Sequence, residues 1–234
     1  MQKRLIRKLE LEMLLSQIKP PPSPKSSLEQ YTIPTNVAAT ILHIAAYTNN
    51  DIIDKNVLDL GCGTGRLSLG AAFLGAKQVV GIDIDKDAVK LASWNSAKMG
   101  LKNKVGWIAG DIDAVHGDFD TVLQNPPFGV QNRRADRRFL EKALESGTVV
   151  YSLHKHPRED KNFTKKKIKS HQPGVGVVPD PFLKKFIEEH GGKIKVVFPM
   201  IMTIPYMFSF HRKRKHEFIV DLFIIKKRET VLVG

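Results

Sequence analysis

Cysteine is almost absent from this chain, since Cys62 is the single one among 234 residues. One cysteine cannot form an intramolecular disulfide or supply a cysteine-rich zinc site, which favours a reducing, intracellular setting. The eight histidines show no metal-ligand spacing with a partner acid, so we expect no bound metal.

Long apolar runs are missing as well. No stretch of about eighteen apolar residues is present that could span a bilayer. Glu10 and Glu12 interrupt the basic start of the chain before a secretory apolar segment could form. We therefore expect no membrane association and a cytoplasmic location.

Acidic residues are outnumbered by basic ones. The chain has 37 Lys and Arg against 24 Asp and Glu, a formal net charge of +13. This excess favours a polyanionic partner such as nucleic acid, although charge alone does not separate RNA from DNA or a membrane surface. The length and the 42% of apolar residues suit one α/β domain with a substantial core.

The first 27 residues are expected to form a helix and a connector ahead of a single domain over residues 28–234. Leu11, Leu14, Leu15 and Ile18 share one face, which predicts a helix over residues 1–19 that packs on the body of the protein. The proline-rich segment 20–27 cannot continue that helix and is expected to be extended. A second helix is predicted over residues 36–48, with Thr35 or Asn36 as its N-cap.

Short β-branched runs then alternate with helical patterns, which predicts a parallel sheet with helices on both faces. The predicted strands are 56–60, 78–83, 104–109, 121–124 and 148–153, and the predicted helices are 66–74, 86–99 and 136–145. Asp180 and Pro181 begin a further helix, which ends at Gly191. Strands 193–198 and 218–225 have no clear helix between them, so we expect an antiparallel pair at one edge of a seven-stranded sheet.

A glycine-rich turn follows the first predicted strand. Because Gly61, Gly63 and Gly65 carry no Cβ, a ligand can approach this backbone closely. About twenty residues later Asp83 ends the second strand, where a carboxylate can accept hydrogen bonds from the ribose hydroxyls of an adenosine moiety. Ile84 could cover one face of the adenine. The pattern predicts a site for an adenosine-containing cofactor.

Other residues of this turn and the next strand ends have candidate roles in the same site. Asp59 could reach the ammonium of an amino-acid tail, or could instead be a surface carboxylate that balances Arg66. Asp111 could accept from the adenine amino group while Ile112 packs on the ring, although Asp-capped turns are common. Cys62 is expected to contribute mainly backbone, and Thr64 is a further candidate cofactor-binding residue.

Two other classes of nucleotide site fit this turn less well. The dinucleotide fingerprint needs a third glycine three positions after the second, and Arg66 occupies that position. A P-loop needs Gly-Lys-Ser/Thr after the turn, and this sequence is not present. A plain tight turn is the remaining alternative.

Asn125-Pro126-Pro127-Phe128 follows an apolar run over residues 119–123 that is predicted as a strand. The side-chain oxygen of Asn125 and the carbonyl of Pro126 can accept the two hydrogens of a planar amino group. The prolines fix the backbone, and Phe128 offers a face on which a base can stack. The motif therefore predicts alkylation of an amino group at this position.

The motifs 59–65 and 125–128 together resemble those of class I S-adenosylmethionine-dependent methyltransferases, which have a Rossmann-like fold. Further segments, namely 28–31, 83–85, 150–155 and 210–211, are similar to the methyltransferase-like protein 5 family, whose members methylate N6 of an adenosine in small-subunit ribosomal RNA. The resemblance implies S-adenosylmethionine as cofactor, with Gln30, Tyr31 and Thr35 as further binding residues. Two extra residues before Pro34 leave open whether Thr32 or Thr35 makes the contact. An archaeal origin is expected.

Two basic clusters follow the fifth and sixth strands, and we expect them to contact RNA, either ribosomal RNA or a pre-ribosomal particle. They comprise Lys155, Lys165, Lys166 and Lys167, and then Arg212, Lys213, Arg214 and Lys215. Ordinary solvated loops are the alternative. The resemblance also implies a small zinc-containing activator protein, for which the third strand is the candidate docking edge, with a self-sufficient monomer as the alternative.

The motif at Asn125 does not by itself distinguish an adenine amine from the side-chain amide of glutamine. Adenine-N6 methylation of DNA and glutamine methylation of a release factor are therefore the rival enzyme activities. A nucleic-acid-binding scaffold that has kept the fold without the activity is the rival of a different class.

Overall fold

The computed structural model describes residues 5–30, 32–128, 135–157, 178–205 and 215–228. Its centre is one seven-stranded sheet in the order β3-β2-β1-β4-β5-β7-β6. The strands are β1 (Asn56–Leu60), β2 (Gln78–Asp83), β3 (Val105–Ala109), β4 (Phe119–Gln124), β5 (Gly147–Lys155), β6 (Gly192–Pro205) and β7 (Lys215–Lys227). The first five strands are parallel, and β7 pairs antiparallel with both β5 and β6. This confirms the predicted architecture.

Helices cover both faces of the sheet. They are α1 (Lys8–Ser16), α2 (Thr35–His43), α3 (Arg66–Phe73), α4 (Lys86–Lys98), α5 (Ala135–Ser146) and α6 (Pro181–Glu189). One apolar layer joins α1, α2 and α3 to the sheet through residues such as Leu11, Leu42 and Leu69. The other layer lies under α5 and α6 and includes Leu140 and Ile187. The parallel connections therefore bring the carboxyl ends of β1, β2 and β4 to one edge of the sheet, where ligands of such folds bind.

The N-terminal helix is shorter than the predicted 1–19. It begins at Lys8 because Arg7 has an extended conformation, and the N–H of Arg7 donates to Glu10 Oε2 at 2.9 Å, which caps the first turn. It ends at Ser16, ahead of the prolines. Leu11, Leu15 and Ile18 are buried as predicted, so the helix packs on the body.

The second helix differs from its predicted course over residues 36–48. Pro34 precedes α2 as its N-cap, and after His43 the chain continues as a π-helical turn over Ile44–Thr48. The end of this turn is anchored to the sheet, since Asn49 Nδ2 donates to the hydroxyl of Tyr151 at 2.7 Å. The π-helical turn could not be predicted from the sequence, because the spacing of its apolar residues is close to that of an α-helix.

The antiparallel pair β6 and β7 is longer than the predicted strands 193–198 and 218–225. Pairing continues through Pro199, which lies opposite Asp221. Because β6 is an edge strand, a proline is tolerated there, and the sequence signal for its continuation is weak. In the part of the chain that the structure describes, no helix is long and apolar enough to cross a bilayer, and no cluster of three metal-ligating side chains is found.

Candidate functional site

The loop after β1 is held against the end of β2 by its own backbone. The N–H groups of Gly61 and Cys62 both donate to the carbonyl of Ile82, at 2.9 and 3.0 Å. Gly61, Gly63 and Gly65 have φ values of +70°, +53° and +87°, a region that side chains with a Cβ rarely adopt. The glycine spacing therefore reflects a loop conformation that most other residues would strain.

Asp83 fixes this loop from the second strand. Its Oδ2 accepts the N–H of Gly63 at 2.8 Å, and its Oδ1 accepts the N–H of Asp85 at 2.8 Å. Burial raises the pKa of this carboxyl above its ordinary value. Each carboxylate oxygen can accept more than one hydrogen bond, so both remain able to accept from a ligand.

Asp59 is buried under the loop rather than lying at the surface beside Arg66. Its Oδ2 accepts from the N–H of Ser68 at 2.9 Å and from the Ser68 hydroxyl at 2.5 Å. Burial raises the pKa of Asp59 to about 7. Arg66 instead donates to the carbonyls of Ile33 and Ile18, at 2.5 and 3.4 Å, and so ties the N-terminal segment to the start of α3.

A cavity of about 250 Å³ lies at the carboxyl ends of β1, β2 and β4. Most of the sequence-predicted cofactor residues line it: Gln30, Asp59, Gly61, Cys62, Gly63, Thr64, Asp83, Ile84, Asp111, Ile112 and Asn125. Gly65 does not line it and instead is the N-cap of α3, packed against Trp107. Thr32 lines the cavity, whereas Thr35 is the first residue of α2 and does not. Tyr31 lies outside the described residues.

The connector between α1 and α2 forms a wall of this cavity that is more extensive than the sequence candidates Gln30, Tyr31 and Thr32 or Thr35. Pro21, Ser27, Leu28, Glu29, Thr32 and Ile33 all face the cavity. The connector is held over the site by Asp85, which accepts from Lys25 Nζ at 2.8 Å and from Gln30 Nε2 at 2.7 Å. Glu29 is buried and has a φ of +48°. A left-handed backbone is uncommon for a residue other than glycine, and the sequence gives no sign of it at Glu29.

The first turns of α5 contribute a second unpredicted wall, through Ala135, Arg138 and Phe139. Phe139 lies against the glycine loop so closely that a Cβ on Gly61 would come 2.9 Å from its ring. Arg138 contacts both Asp111 and Asp113. The N–H of Asp113 and Arg138 together hold the pKa of Asp111 below its ordinary value. These contacts join segments that are distant in the chain, so no local sequence pattern predicts them.

The motif after β4 occupies the same cavity edge. Asn125 and Pro127 line the cavity, whereas Pro126, which is buried, and Phe128 are not among its lining residues. Phe128 is half-buried, and its ring meets Phe218 edge-on with centroids 5.9 Å apart. The preceding Gln124 is fully buried and donates to the hydroxyl of Ser152 at 2.8 Å. The acceptor motif and the glycine loop therefore belong to one site.

Comparison with known proteins agrees with this geometry. Residues 38–149 match the family model of the methyltransferase small domain. The chain is 38% identical over 235 residues to an uncharacterized protein of Methanocaldococcus jannaschii, covering 95% of each. It is 34% identical over 218 residues to the rRNA N(6)-adenosine-methyltransferase METTL5 of Danio rerio, covering 91% of this chain and 95% of that one. The chain belongs to the METTL5 family.

A solved structure supports the membership of the METTL5 family. A proposed RNA methyltransferase of Pyrococcus horikoshii is 38% identical, covers 97% of this chain and 100% of its own, and superposes with a TM-score of 0.78. The archaeal relatives fit the expected archaeal origin. The protein is an S-adenosylmethionine-dependent methyltransferase, which confirms the predicted enzyme class and cofactor.

The residues of the cavity fit S-adenosylmethionine. The space where a Cβ of Gly63 would stand is open, with no atom within 4 Å, so a ligand can lie directly on the loop backbone. Asp59, Asp83 and Asp111 offer acceptors for an ammonium, for ribose hydroxyls and for an adenine amine. Cys62 is buried, which raises the pKa of its thiol and keeps it protonated and unreactive.

The residues predicted to bind RNA are mostly beyond the described ranges in this METTL5-family protein. Lys155 is exposed at the end of β5, on the side of the sheet where the cavity opens. Lys215 begins β7. Lys165, Lys166, Lys167, Arg212, Lys213 and Arg214 lie outside the residues that the structure describes.

Proposed function

We propose that the protein transfers a methyl group to the N6 amino group of an adenosine in structured RNA, with small-subunit ribosomal RNA as the substrate class. One observation carries the proposal: Asn125 and Pro127 line the same cavity as the glycine loop and Asp83. The residues proposed to bind the substrate amine and those proposed to bind the cofactor therefore line the same cavity.

S-adenosylmethionine, when bound, supplies an electrophilic methyl group on a sulfonium, so no metal or covalent enzyme intermediate is needed. Alignment is then the main task of the protein. The Asn125 side-chain oxygen and the Pro126 carbonyl accept the two hydrogens of the target amine, which frees its lone pair from the ring. These acceptors stabilise the positive charge that develops on nitrogen. Proton loss to water follows.

An adenosine substrate must be unstacked to reach this site, because its amine is otherwise paired or stacked. Loops, bulges and single-stranded segments of RNA meet that requirement. Phe128 follows the cavity residue Pro127 in the chain and is half-buried, and its ring is the proposed stacking face for the base. The net charge of +13 supports a polyanionic substrate over a release-factor glutamine.

RNA is the partner that the METTL5-family relatives support. We further propose a small zinc-containing activator protein that pairs with the outer edge of β3, together with a cytoplasmic location. Strand β3 is at one end of the sheet, and the Ile108 side chain on it is 42% exposed. An uncovered strand edge with an exposed apolar side chain is suited to strand addition by a partner.

The test is incubation of the protein with labelled S-adenosylmethionine and separate RNA, DNA and protein fractions of an archaeal cell, followed by nucleoside analysis. We expect label in small-subunit ribosomal RNA, recovered as N6-methyladenosine. Label in protein alone, as methylglutamine, would overturn the nucleobase assignment. Label in DNA would contradict RNA as the substrate and identify the activity as DNA adenine methylation.

A further inference from the structure

We propose that Arg138 is a positioning residue that orients Asp111 toward the 6-amino group of the cofactor, and so sets the preference for adenine over a 6-oxo purine. The inference rests on the proposed cofactor site. It concerns a residue of α5 that no motif of the glycine loop or of the Asn125 segment includes.

The contacts of Asp111 are asymmetric. Its Oδ1 accepts the N–H of Asp113 at 2.9 Å and also contacts Arg138 Nη2. Arg138 Nη2 reaches Asp113 Oδ2 at 2.5 Å as well, so one guanidinium holds both carboxylates. Among the described contacts both bonds to Asp111 use Oδ1, which leaves Oδ2 for a ligand in the cavity that Asp111 and Arg138 both line.

The charge state of Asp111 determines what it can recognise. The N–H of Asp113 and Arg138 lower the pKa of this carboxyl, so it is ionised at neutral pH and can only accept hydrogen bonds. The 6-amino group of adenine donates, whereas a 6-oxo group accepts and would meet the carboxylate with its own lone pairs. A site built around a donor rejects the analogue that lacks it, because a charge-assisted bond is then missing.

The position of Arg138 is itself set by the cofactor loop. Its neighbour Phe139 packs on Gly61, as the 2.9 Å approach to a Cβ there indicates. Helix α5 thus touches the loop after β1 through Phe139 and the turn after β3 through Arg138. The Arg138 and Asp111 side chains are 48% and 42% exposed, so the ion pair adds little to the free energy of unfolding. Its effect should therefore appear in ligand selectivity.

Arg137 is a matched control on the same helix. Its guanidinium lies 4.1 Å from the ring centroid of Phe182, on α6, and it does not line the cavity. Replacing Arg137 removes the same charge from the adjacent position without touching Asp111.

The experiment measures Kd by calorimetry for S-adenosylhomocysteine and for S-inosylhomocysteine, its 6-oxo analogue. We expect the unmodified protein to prefer the amino ligand at least about tenfold, the size of one charge-assisted hydrogen bond. Arg138→Met should reduce that ratio to about threefold or less by weakening the amino ligand alone. Arg138→Lys, which keeps the charge without the planar fork, should restore part of it. Arg137→Met should leave the ratio unchanged.

Equal weakening of both ligands by Arg138→Met would mean a merely structural role and would overturn the inference, as would an unchanged ratio. A protein that binds both ligands equally before substitution would also overturn it, while leaving the cofactor site intact. Failure of the unmodified protein to bind either ligand would refute the proposed cofactor site itself. A melting temperature recorded for each variant separates these outcomes from unfolding.

Discussion

The backbone N–H of Gly63 donates to Asp83 Oδ2 at 2.8 Å, which joins the loop after β1 to the end of β2. The other oxygen of Asp83 accepts the N–H of Asp85, the residue that also holds Lys25 and Gln30 of the connector. A single carboxylate therefore organises two loops and, through Asp85, the wall that covers them.

Replacing Asp83 by Ala should strongly weaken cofactor binding. The change removes the acceptor for the ribose hydroxyls and leaves two loop N–H groups without their partner, at about 1–3 kcal/mol for each buried group. Calorimetry with S-adenosylhomocysteine should show at least a 100-fold rise in Kd, taken as about two charge-assisted bonds. Asp83→Asn keeps one acceptor, so its Kd should lie between that of the unmodified protein and that of Asp83→Ala. Binding within threefold of the unmodified protein would contradict the assignment.

Replacing Asn125 by Ala should abolish methyl transfer while cofactor binding persists. The side-chain oxygen of Asn125 is assigned to the substrate amine, so kcat should fall by about 100-fold or more, as for removal of one aligned electrostatic interaction. The measurement is labelled-methyl transfer to RNA beside calorimetry with S-adenosylhomocysteine. A loss of cofactor affinity as large as that of Asp83→Ala would refute this division of roles.

Cofactor affinity should rise with pH through neutrality because of Asp59. Burial raises its pKa to about 7, from an ordinary value of about 3.9. A bound ammonium favours the carboxylate, so below pH 7 a proton must first leave, and the affinity should fall about tenfold per pH unit. For folding, the raised pKa means that the contribution of Asp59 is most favourable below about pH 4 and is lost as pH rises to about 7.

Two controls isolate this titration. Methylthioadenosine lacks the ammonium, so its affinity should be nearly flat between pH 6 and 8. Asp59→Asn should likewise remove the pH dependence of S-adenosylmethionine binding, because the amide does not titrate in this range. A parallel slope for both ligands would assign the pH effect to another group.

Gly65→Ala should destabilise the protein more than Gly63→Ala, although both positions have positive φ. The left-handed backbone costs about 1–2 kcal/mol with a Cβ in either case. At Gly65 the Cβ would also lie 2.5 Å from the ring of Trp107, adding about 1–3 kcal/mol for overpacking. Trp107 cannot easily move, because Gly81 packs on the same ring. The Nε1 of Trp107 also donates to the hydroxyl of Ser96 at 3.3 Å. Chemical denaturation should rank the variants in this order, and equal shifts would contradict it.

RNA affinity should fall steeply with added salt, since the basic clusters are proposed to contact phosphates. Neutralising Lys155 should reduce the slope of log Kd against log salt by about 0.7–0.9 for each phosphate that the side chain no longer neutralises. Neutralising the segment Lys165, Lys166 and Lys167 should reduce it further. Lys102, exposed at the opposite edge of the sheet before β3, is the matched control and should leave the slope unchanged. A flat salt dependence would contradict the basic-cluster proposal.

The parts of the site that the sequence predicted are those made by neighbours in the chain. Asp59 and Gly61 follow a strand directly, Asp83 ends the next strand, and parallel pairing must bring strand ends together, so these side chains meet whatever the details of packing. Asn125 was found in the same way, at the end of β4. The parallel sheet with helices on both faces followed from the alternation of strand and helix.

The remaining parts depend on contacts between distant segments. The connector returns over the cavity because Asp85 and Arg66 hold it there, and neither pairing leaves a periodic signal. The same is true of Arg138 and Asp111. Thr32 lines the cavity and Thr35 does not, since Thr35 is the first residue of α2. The start of a helix is predicted from sequence only to within a few residues, so the sequence left both threonines as candidates.

The position of β7 constrains the order in which the sheet can be assembled. Because β7 lies between β5 and β6, β6 has no neighbour in the sheet until β7 has formed. Residues 192–205 must wait for residues 215–227, and an apolar strand stays unpaired in the meantime. The slowest step of folding should therefore be the insertion of β7, a long-range antiparallel pairing on both of its edges, and substitutions in β7 should slow refolding more than equally destabilising ones in α1.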